Sequence, residues 1–197
     1  ETGEIALSVA GDNTSHLFAG YGLEGCAPAE AIFRTGDLGY LDEEGWLFVT
    51  GRIREMINRG GEVLSPVEIE EALACSAPEL RELMVFAVAH DELHEVVGVA
   101  VLHPCPLDLA RMRELARARL ALPQMPQLLV RVTKLPRTAS GKLQRAGFAQ
   151  ACGLPALSGA ARRSFQFDGG DSSDSPKLRE LSSLEATVVR SGELEEF

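Results

Sequence analysis

Lys142 lies near the end of the run Leu135-Pro136-Arg137-Thr138-Ala139-Ser140-Gly141-Lys142-Leu143-Gln144-Arg145, and its surroundings suit the handling of negative charge. Pro136 fixes φ and Gly141 can adopt a positive φ, so the run predicts a tight hairpin that holds one ammonium group in a set place. Residues 115–167 contain no Asp or Glu. Over the same span Arg117, Arg119, Arg131, Lys134, Arg137, Lys142, Arg145, Arg162 and Arg163 supply nine positive charges. In a chain of net charge −10 this is a local reversal of sign, and its field suits phosphates or carboxylates. On charge alone, a solvated basic hairpin is the simpler account.

A second stretch changes that balance. Phe33-Arg34-Thr35-Gly36-Asp37-Leu38-Gly39-Tyr40 is followed by Asp42-Glu43-Glu44-Gly45 and then by Trp46-Leu47-Phe48-Val49-Thr50-Gly51-Arg52. Gly36 and Gly39 allow a bend around Asp37, whose carboxylate can accept two hydroxyl hydrogen bonds, as from a ribose. Arg52, just after a strand-like run, can donate to a sugar or phosphate oxygen. Taken singly, Asp37 reads as a turn residue and Arg52 as a surface cation. His90 and His94 are spaced like a helical metal pair, but their acids do not match the zinc-protease pattern, and no metal role is expected.

These residues need elements to position them. Strands are expected near residues 5–9, 32–34 and 46–50, with Asp42–Gly45 as a hairpin loop, and loops at 20–22 and 25–29. Residues 52–61 read as a further strand and turn. Ser65, Pro66 and Glu68 form an N-cap, a first helical position and a capping-box acid for a helix carrying Val67, Ile69, Ala72 and Leu73. Residues 83–89 and 96–102 read as buried strands. Residues 107–120 predict a helix with Leu109, Met112, Ala116 and Leu120 on one face, and 128–132 a strand leading into the lysine hairpin. Residues 156–180, centred on Phe167-Asp168-Gly169-Gly170-Asp171-Ser172-Ser173-Asp174-Ser175-Pro176, read as a linker without a core, and 181–197 as a short helix or a lead-in to another domain.

Together and in order, three motifs resemble the ANL superfamily of adenylate-forming enzymes: RTGDLGYLDEEGWLFVTGR (34–52), INRGGEVLSPVEIEEAL (57–73) and LPRTASGKLQR (135–145). The wording of the second is most similar to acyl- or aryl-CoA ligases, including the oxalyl-CoA-synthetase-like branch. The resemblance covers roughly residues 3–153. It implies an α+β fold in which 1–51 end a large AMP-binding N-terminal domain, 52–153 form a small mobile C-terminal lobe, and 154–197 are a flexible linker or tail.

The implied chemistry is a two-step ligation. A carboxylate attacks the α-phosphate of ATP, with Mg2+ neutralising the phosphates. The small lobe then rotates, and the thiol of CoA attacks the acyl carbonyl. Lys142 matches the family's adenylation lysine, Asp37 the acid that holds the ribose hydroxyls and Arg52 its supporting arginine. Gly60 and Gly61 match the loop lining the pantetheine tunnel, and Arg54 falls at the hinge. The sequence departs from the family pattern at Arg54, where Asp or Lys is commonest. It also departs at Val63, where relatives often carry a base, and at Gln124, which replaces a lysine. Arginines nearby are therefore expected to take over contacts to the CoA phosphates.

Two other readings remain open. One is an adenylation (loading) domain passing its acyl group to a phosphopantetheine carrier protein, with a carrier domain downstream. The other is a non-catalytic, ligase-like interaction domain, which the presence of Asp37, Arg52 and Lys142 together opposes. No phosphate loop rich in Ser, Thr and Gly and no acyl pocket are recognisable, and the chain opens on Glu1 in mid-pattern. It is expected to be a piece of a longer enzyme, inactive alone.

Composition sets outer limits. With 45% hydrophobic residues in 197, the chain can bury a real core. Residues 1–50 carry nine acids against one base, 51–150 twelve against thirteen, and the rest eight against five. Acidity concentrated at the ends argues against a nucleic-acid partner. Cysteines 26, 75, 105 and 152 form no CxxC pair, so a reduced, cytoplasmic setting is expected, with a peroxisomal one open. No run approaches the ~20 apolar residues that span a bilayer.

Overall fold

The computed structural model describes residues 2–8, 32–80, 82–168 and 177–181. The expected loops at 20–22 and 25–29, and the expected short helix over 181–197 apart from its first residue, lie outside them. The chain divides into two compact units, Glu1–Arg54 and Glu55–Phe197. The division falls beside Arg54, three residues beyond the end expected for the first domain.

The first unit is an antiparallel sheet in the order β1-β2-β3, with β1 Gly3–Ser8, β2 Ile32–Leu41 and β3 Leu47–Arg52. Its hairpin turn is built by Asp42, whose Oδ1 accepts from the N–H groups of Glu44 (3.1 Å) and Trp46 (2.7 Å). Gly45 closes it with φ +87°. Tyr40 stacks on Phe48 across the hairpin, ring centroids 5.2 Å apart. Leu41, Trp46, Leu47, Phe48 and Val49 are nonetheless exposed.

The second unit is α+β. Its seven-stranded sheet runs in the order β10-β9-β8-β7-β4-β5, with β6 also paired to β7. The strands are β4 Ile57–Arg59, β5 Glu62–Leu64, β6 Leu83–His90, β7 His94–Leu102, β8 Leu128–Val132, β9 Arg163–Asp168 and β10 Lys177–Glu180. Helices α1 Pro66–Ser76, α2 Leu109–Ala116 and the single turn α3 Phe148–Ala151 complete it.

Alternation along β6 and β7 divides the core into two layers, because successive strand residues face opposite sides. Val85, Val97, Val99 and Val101 join α1 and α2 through Ile69, Leu73, Leu109 and Met112. Met84, Phe86, Val88, Val96 and Ala100 face Leu135, Phe148, Leu157 and Phe165 on the other side. Gly98 is where β7 admits this second layer: a Cβ there would meet Val88 and Phe86 at 2.6 and 2.8 Å. Helix α1 starts as expected, with the Ser65 hydroxyl accepting from Glu68 N–H. Helix α2 is shorter than its periodicity suggested, and is capped instead by Asp108, which accepts from Arg111 N–H at 2.7 Å. Leu120 is still buried beyond its end.

The linker reading fails for residues 156–168. Strand β9 pairs in parallel with β8, from Leu128↔Arg163 to Val132↔Phe167, and β10 pairs antiparallel with β9. Leu157 and Phe165 are buried in the second layer. A few well-spaced apolar side chains that find a prepared sheet edge suffice to order a segment whose average composition looks unstructured. Residues 169–176, the most serine-rich part, lie outside the described residues.

Candidate functional site

The lysine hairpin follows β8 and is held chiefly by Thr138. Its N–H donates to Lys142 O and its carbonyl accepts from Gly141 N–H, both at 2.8 Å. Its hydroxyl accepts from Lys142 N–H at 3.2 Å. Arg137 bridges Leu143 in antiparallel register, donating through Nη1 to Gly141 O (2.9 Å) and through Nη2 to Glu82 (2.9 Å). Gly141 adopts φ +83°, as the turn requires. Lys142 is exposed, so a flexible four-carbon stem carries its ammonium on a fixed backbone.

Arg145 closes the same segment, and its guanidinium is almost enclosed. Nη1 donates to Glu55 Oε2 at 2.7 Å, Nη2 to both Glu70 oxygens at 2.8 and 3.0 Å, and Nε to Val85 O at 3.3 Å. Glu70 Oε1 also accepts from Val85 N–H at 2.8 Å, which binds α1 to β6. Burial alone would lower the Arg145 pKa, but its hydrogen bonds to Glu70 and Glu55, with their negative charge, outweigh it and hold it above the usual value. The guanidinium is thus a permanent cation. The sequence reading gave it no role, since Glu55 and Glu70 lie ninety and seventy-five residues away and carry no local signal.

Asp37 and Arg52 are brought together as cross-strand partners of β2 and β3, with Arg52 Nε 3.1 Å from Asp37 Oδ1. Gly36, at φ +75°, makes the bend before Asp37, whose N–H donates to Thr35 Oγ1 (3.1 Å). That hydroxyl in turn donates to Ile5 O (2.9 Å), so β1 braces the bend. The Asp37 side chain keeps 31% exposure. Arg54 is exposed in the 3-10 turn Ile53–Glu55, at the last position of the first unit.

Gly60 and Gly61 are the two central residues of the β4–β5 hairpin, between the pair Arg59↔Glu62. Both have positive φ, +59° and +92°, the pattern of a type I′ turn whose twist matches the flanking strands. Gly60 N–H donates to Leu93 O at 2.7 Å and Gly61 N–H to Asn58 Oδ1 at 3.1 Å. A Cβ on Gly61 would meet nothing within 4 Å. Backbone conformation therefore demands glycine here, whatever approaches the loop.

His90 and His94 are also partners, as the closing pair of the β6–β7 hairpin. His94 is exposed with φ +70°, whereas His90 is buried, its Nε2 2.9 Å from Gly159 O. Among the described residues no group of three or more His, Cys, Asp and Glu converges to hold a metal. Nor is any helix among them long and apolar enough to cross a membrane.

A sheet layered with two helices, with a braced lysine hairpin after β8, matches the fold of the AMP-binding enzyme C-terminal domain. Residues 68–142 match the family model of the AMP-binding enzyme C-terminal domain, and the chain belongs to the ANL superfamily as a C-terminal portion of its fold. It is 37% identical over 150 residues to an oxalate–CoA ligase of Saccharomyces cerevisiae, covering 74% of this chain and 27% of the relative. An indoleacetate–CoA ligase of Aromatoleum aromaticum is 41% identical over 116 residues, covering 57% and 22%. Among solved structures, the o-succinylbenzoate CoA synthetase MenE of Bacillus subtilis, in complex with the acyl-adenylate OSB-AMP, aligns with TM-score 0.62 and 30% identity. That alignment covers 74% of this chain and 30% of that one. ATP-bound MatB of Rhodopseudomonas palustris aligns with TM-score 0.54 and 32% identity, covering 58% and 23%. The chain spans about a quarter of the length of the curated relatives it matches.

Proposed function

We propose that this chain is the C-terminal part of an ATP-dependent acyl- or aryl-CoA ligase. The observation that carries the reading is Lys142, an exposed cation on a hairpin held by backbone bonds, Thr138 and Arg137, in a chain related over most of its length to CoA ligases. In the first half-reaction a substrate carboxylate oxygen bonds to the α-phosphorus of ATP and pyrophosphate leaves. Lys142 stabilises the negative charge where carboxylate and phosphate meet. Asp37, oriented by Arg52, accepts the ribose hydroxyls. In the second, the CoA thiol sulfur bonds to the acyl carbon and AMP leaves, with Gly60 and Gly61 leaving the thiol a path.

The exposed Leu41, Trp46, Leu47, Phe48 and Val49 support reading residues 1–51 as the end of a larger domain that covers them. The division of the chain at Arg54 supports placing the hinge there. Magnesium enters as the counterion of the phosphates. CoA is preferred over a carrier protein as acceptor, because the relatives are named CoA ligases. Cys75, Cys105 and Cys152 are free thiols, which supports a cytoplasmic setting.

The test uses the protein carrying this chain behind its preceding large domain. Carboxylate-dependent pyrophosphate exchange and acyl-CoA formation are expected, the first lost in Lys142→Ala. Exchange undiminished in Lys142→Ala overturns the assignment of the lysine. Acyl transfer to a holo carrier protein but not to CoA overturns the choice of acceptor.

A further inference from the structure

We infer that His90 is a positioning residue for the Gly60–Gly61 turn, coupling it to the segment just before β9, an inference that rests on reading that turn as the wall of the thiol path. His90 is buried at the end of β6, and both ring nitrogens are committed. Nδ1 lies 3.1 Å from the backbone N–H groups of both Glu92 and Leu93, so it must accept from them. The neutral ring then carries its proton on Nε2, which donates to Gly159 O at 2.9 Å. Leu93, fixed through its N–H, presents its carbonyl to Gly60 N–H at 2.7 Å and to Glu95 N–H at 2.8 Å.

A continuous relay results: Gly159 O to His90, His90 to Leu93, Leu93 to Gly60. Two contacts beside the relay keep the β4–β5 hairpin against the β6–β7 hairpin. Asn58 N–H donates to Glu95 Oε2 at 2.7 Å, and Arg59 pairs with His94. At the far end, the segment before β9 is pinned to the end of β6. Leu157 N–H donates to Ala89 O (2.9 Å) and Asp91 N–H to Leu157 O (3.0 Å), with Leu157 buried beneath. The imidazole thus joins two segments that are about a hundred residues apart in sequence. It also sets the height of a two-glycine turn that has no side chain of its own to anchor it.

Two substitutions divide the ring's roles. Asn places an acceptor near the Nδ1 position and has nothing at Nε2. Gln reaches toward Nε2 and leaves the Glu92 and Leu93 amides without an acceptor. Hydrogen exchange at the Gly60 amide reads the clamp directly in this chain, with the Val99 and Val130 amides as controls for an intact sheet. His90→Gln should raise Gly60 exchange roughly tenfold, the scale of losing an acceptor for buried N–H groups, while His90→Asn should leave it within about threefold. In the protein with its large domain, His90→Gln should slow acyl-CoA formation from supplied acyl-AMP and leave pyrophosphate exchange unchanged, with His90→Asn restoring the rate.

Equal Gly60 exchange in both variants and the parent, with the controls protected, overturns the clamp. So does equal loosening of Gly60 and the controls, which would make His90 a general stabilising residue. If Gly60 loosens in His90→Gln alone but the thioester step keeps its rate, the clamp stands and the turn is not part of the thiol path.

Discussion

Arg145 Nη1 lies 2.7 Å from Glu55 Oε2, which ties the end of the lysine hairpin to the first residue of the second compact unit. The side chains of Arg145, Glu55 and Glu70 are only 10, 21 and 17% exposed, so their charges interact with little screening. Glu55 is thereby fixed to the segment that carries Lys142, so the second unit is tied together from its first residue.

Removing that cation leaves two carboxylates partly buried without their counterion. Arg145→Met should destabilise the chain by about 3 kcal/mol, the scale for breaking a buried pair from one side. Arg34→Ala also breaks an ion pair, to Glu4 at 2.8 Å, but Arg34 is 78% exposed, and the loss should stay under about 1 kcal/mol. Urea denaturation followed by circular dichroism compares the two, and equal losses would contradict the role given to burial.

Lys142 offers a clean separation of chemistry from fold, because only its backbone holds the hairpin. In the enzyme with its large domain, Lys142→Ala should slow acyl-AMP formation by roughly 10²-fold or more, as for a lost transition-state charge contact. Thioester formation from synthetic acyl-AMP should stay nearly intact, and stability nearly unchanged. A variant slowed equally in both half-reactions would remove the lysine from the adenylating step.

Gly61 is less clean. Its φ of +92° penalises any side chain, so Gly61→Leu costs about 1–2 kcal/mol of turn strain before any thiol is considered. Gly61→Asn tolerates the left-handed region better and should cost less. Thioester formation falling in Gly61→Asn at unchanged stability would trace the loss to an obstructed path. A rate that merely tracks stability across both variants points to the turn alone.

Strand β9 should protect its amides. Hydrogen exchange within Arg163–Asp168 is expected to be slowed to the level of β8, and Phe165→Ala to cost about 3–5 kcal/mol by emptying a buried aromatic site. Rapid exchange across all of β9 would return this segment to the linker reading.

Cys152 supplies a pH signature. Burial pushes its thiol up from 9.0 to about 11 and raises Cys105 as well, again chiefly by desolvation. The unfolded thiols lose their protons first, so above pH 9 the unfolded state binds fewer protons and stability falls with pH until the folded thiols also titrate. Stability is thus expected to decline between pH 9 and about pH 11. Cys152→Ala should flatten part of that decline. At pH 8 a thiol reagent should modify exposed Cys75 well before Cys152.

Short-range chemistry was legible in the chain alone. Ser65, Pro66 and Glu68 specify a helix start within four residues, and the Asp42–Gly45 turn is likewise local. The runs rich in Val and Ala at residues 83–89 and 96–102 read as buried strands. The motif residues, read in order, led to the family. What the tertiary structure alone decided are pairings whose partners carry no mark of each other: Arg145 with Glu55 and Glu70, His90 with Gly159, and β9 with β8. A hydrogen bond or a strand pair forms only when the fold brings donor and acceptor together, and that proximity depends on every packed layer between them. Composition made residues 156–168 look unable to order themselves, because it averages over the segment. The sheet edge selects Leu157 and Phe165 individually, and two buried side chains on a ready template outweigh the polar residues around them.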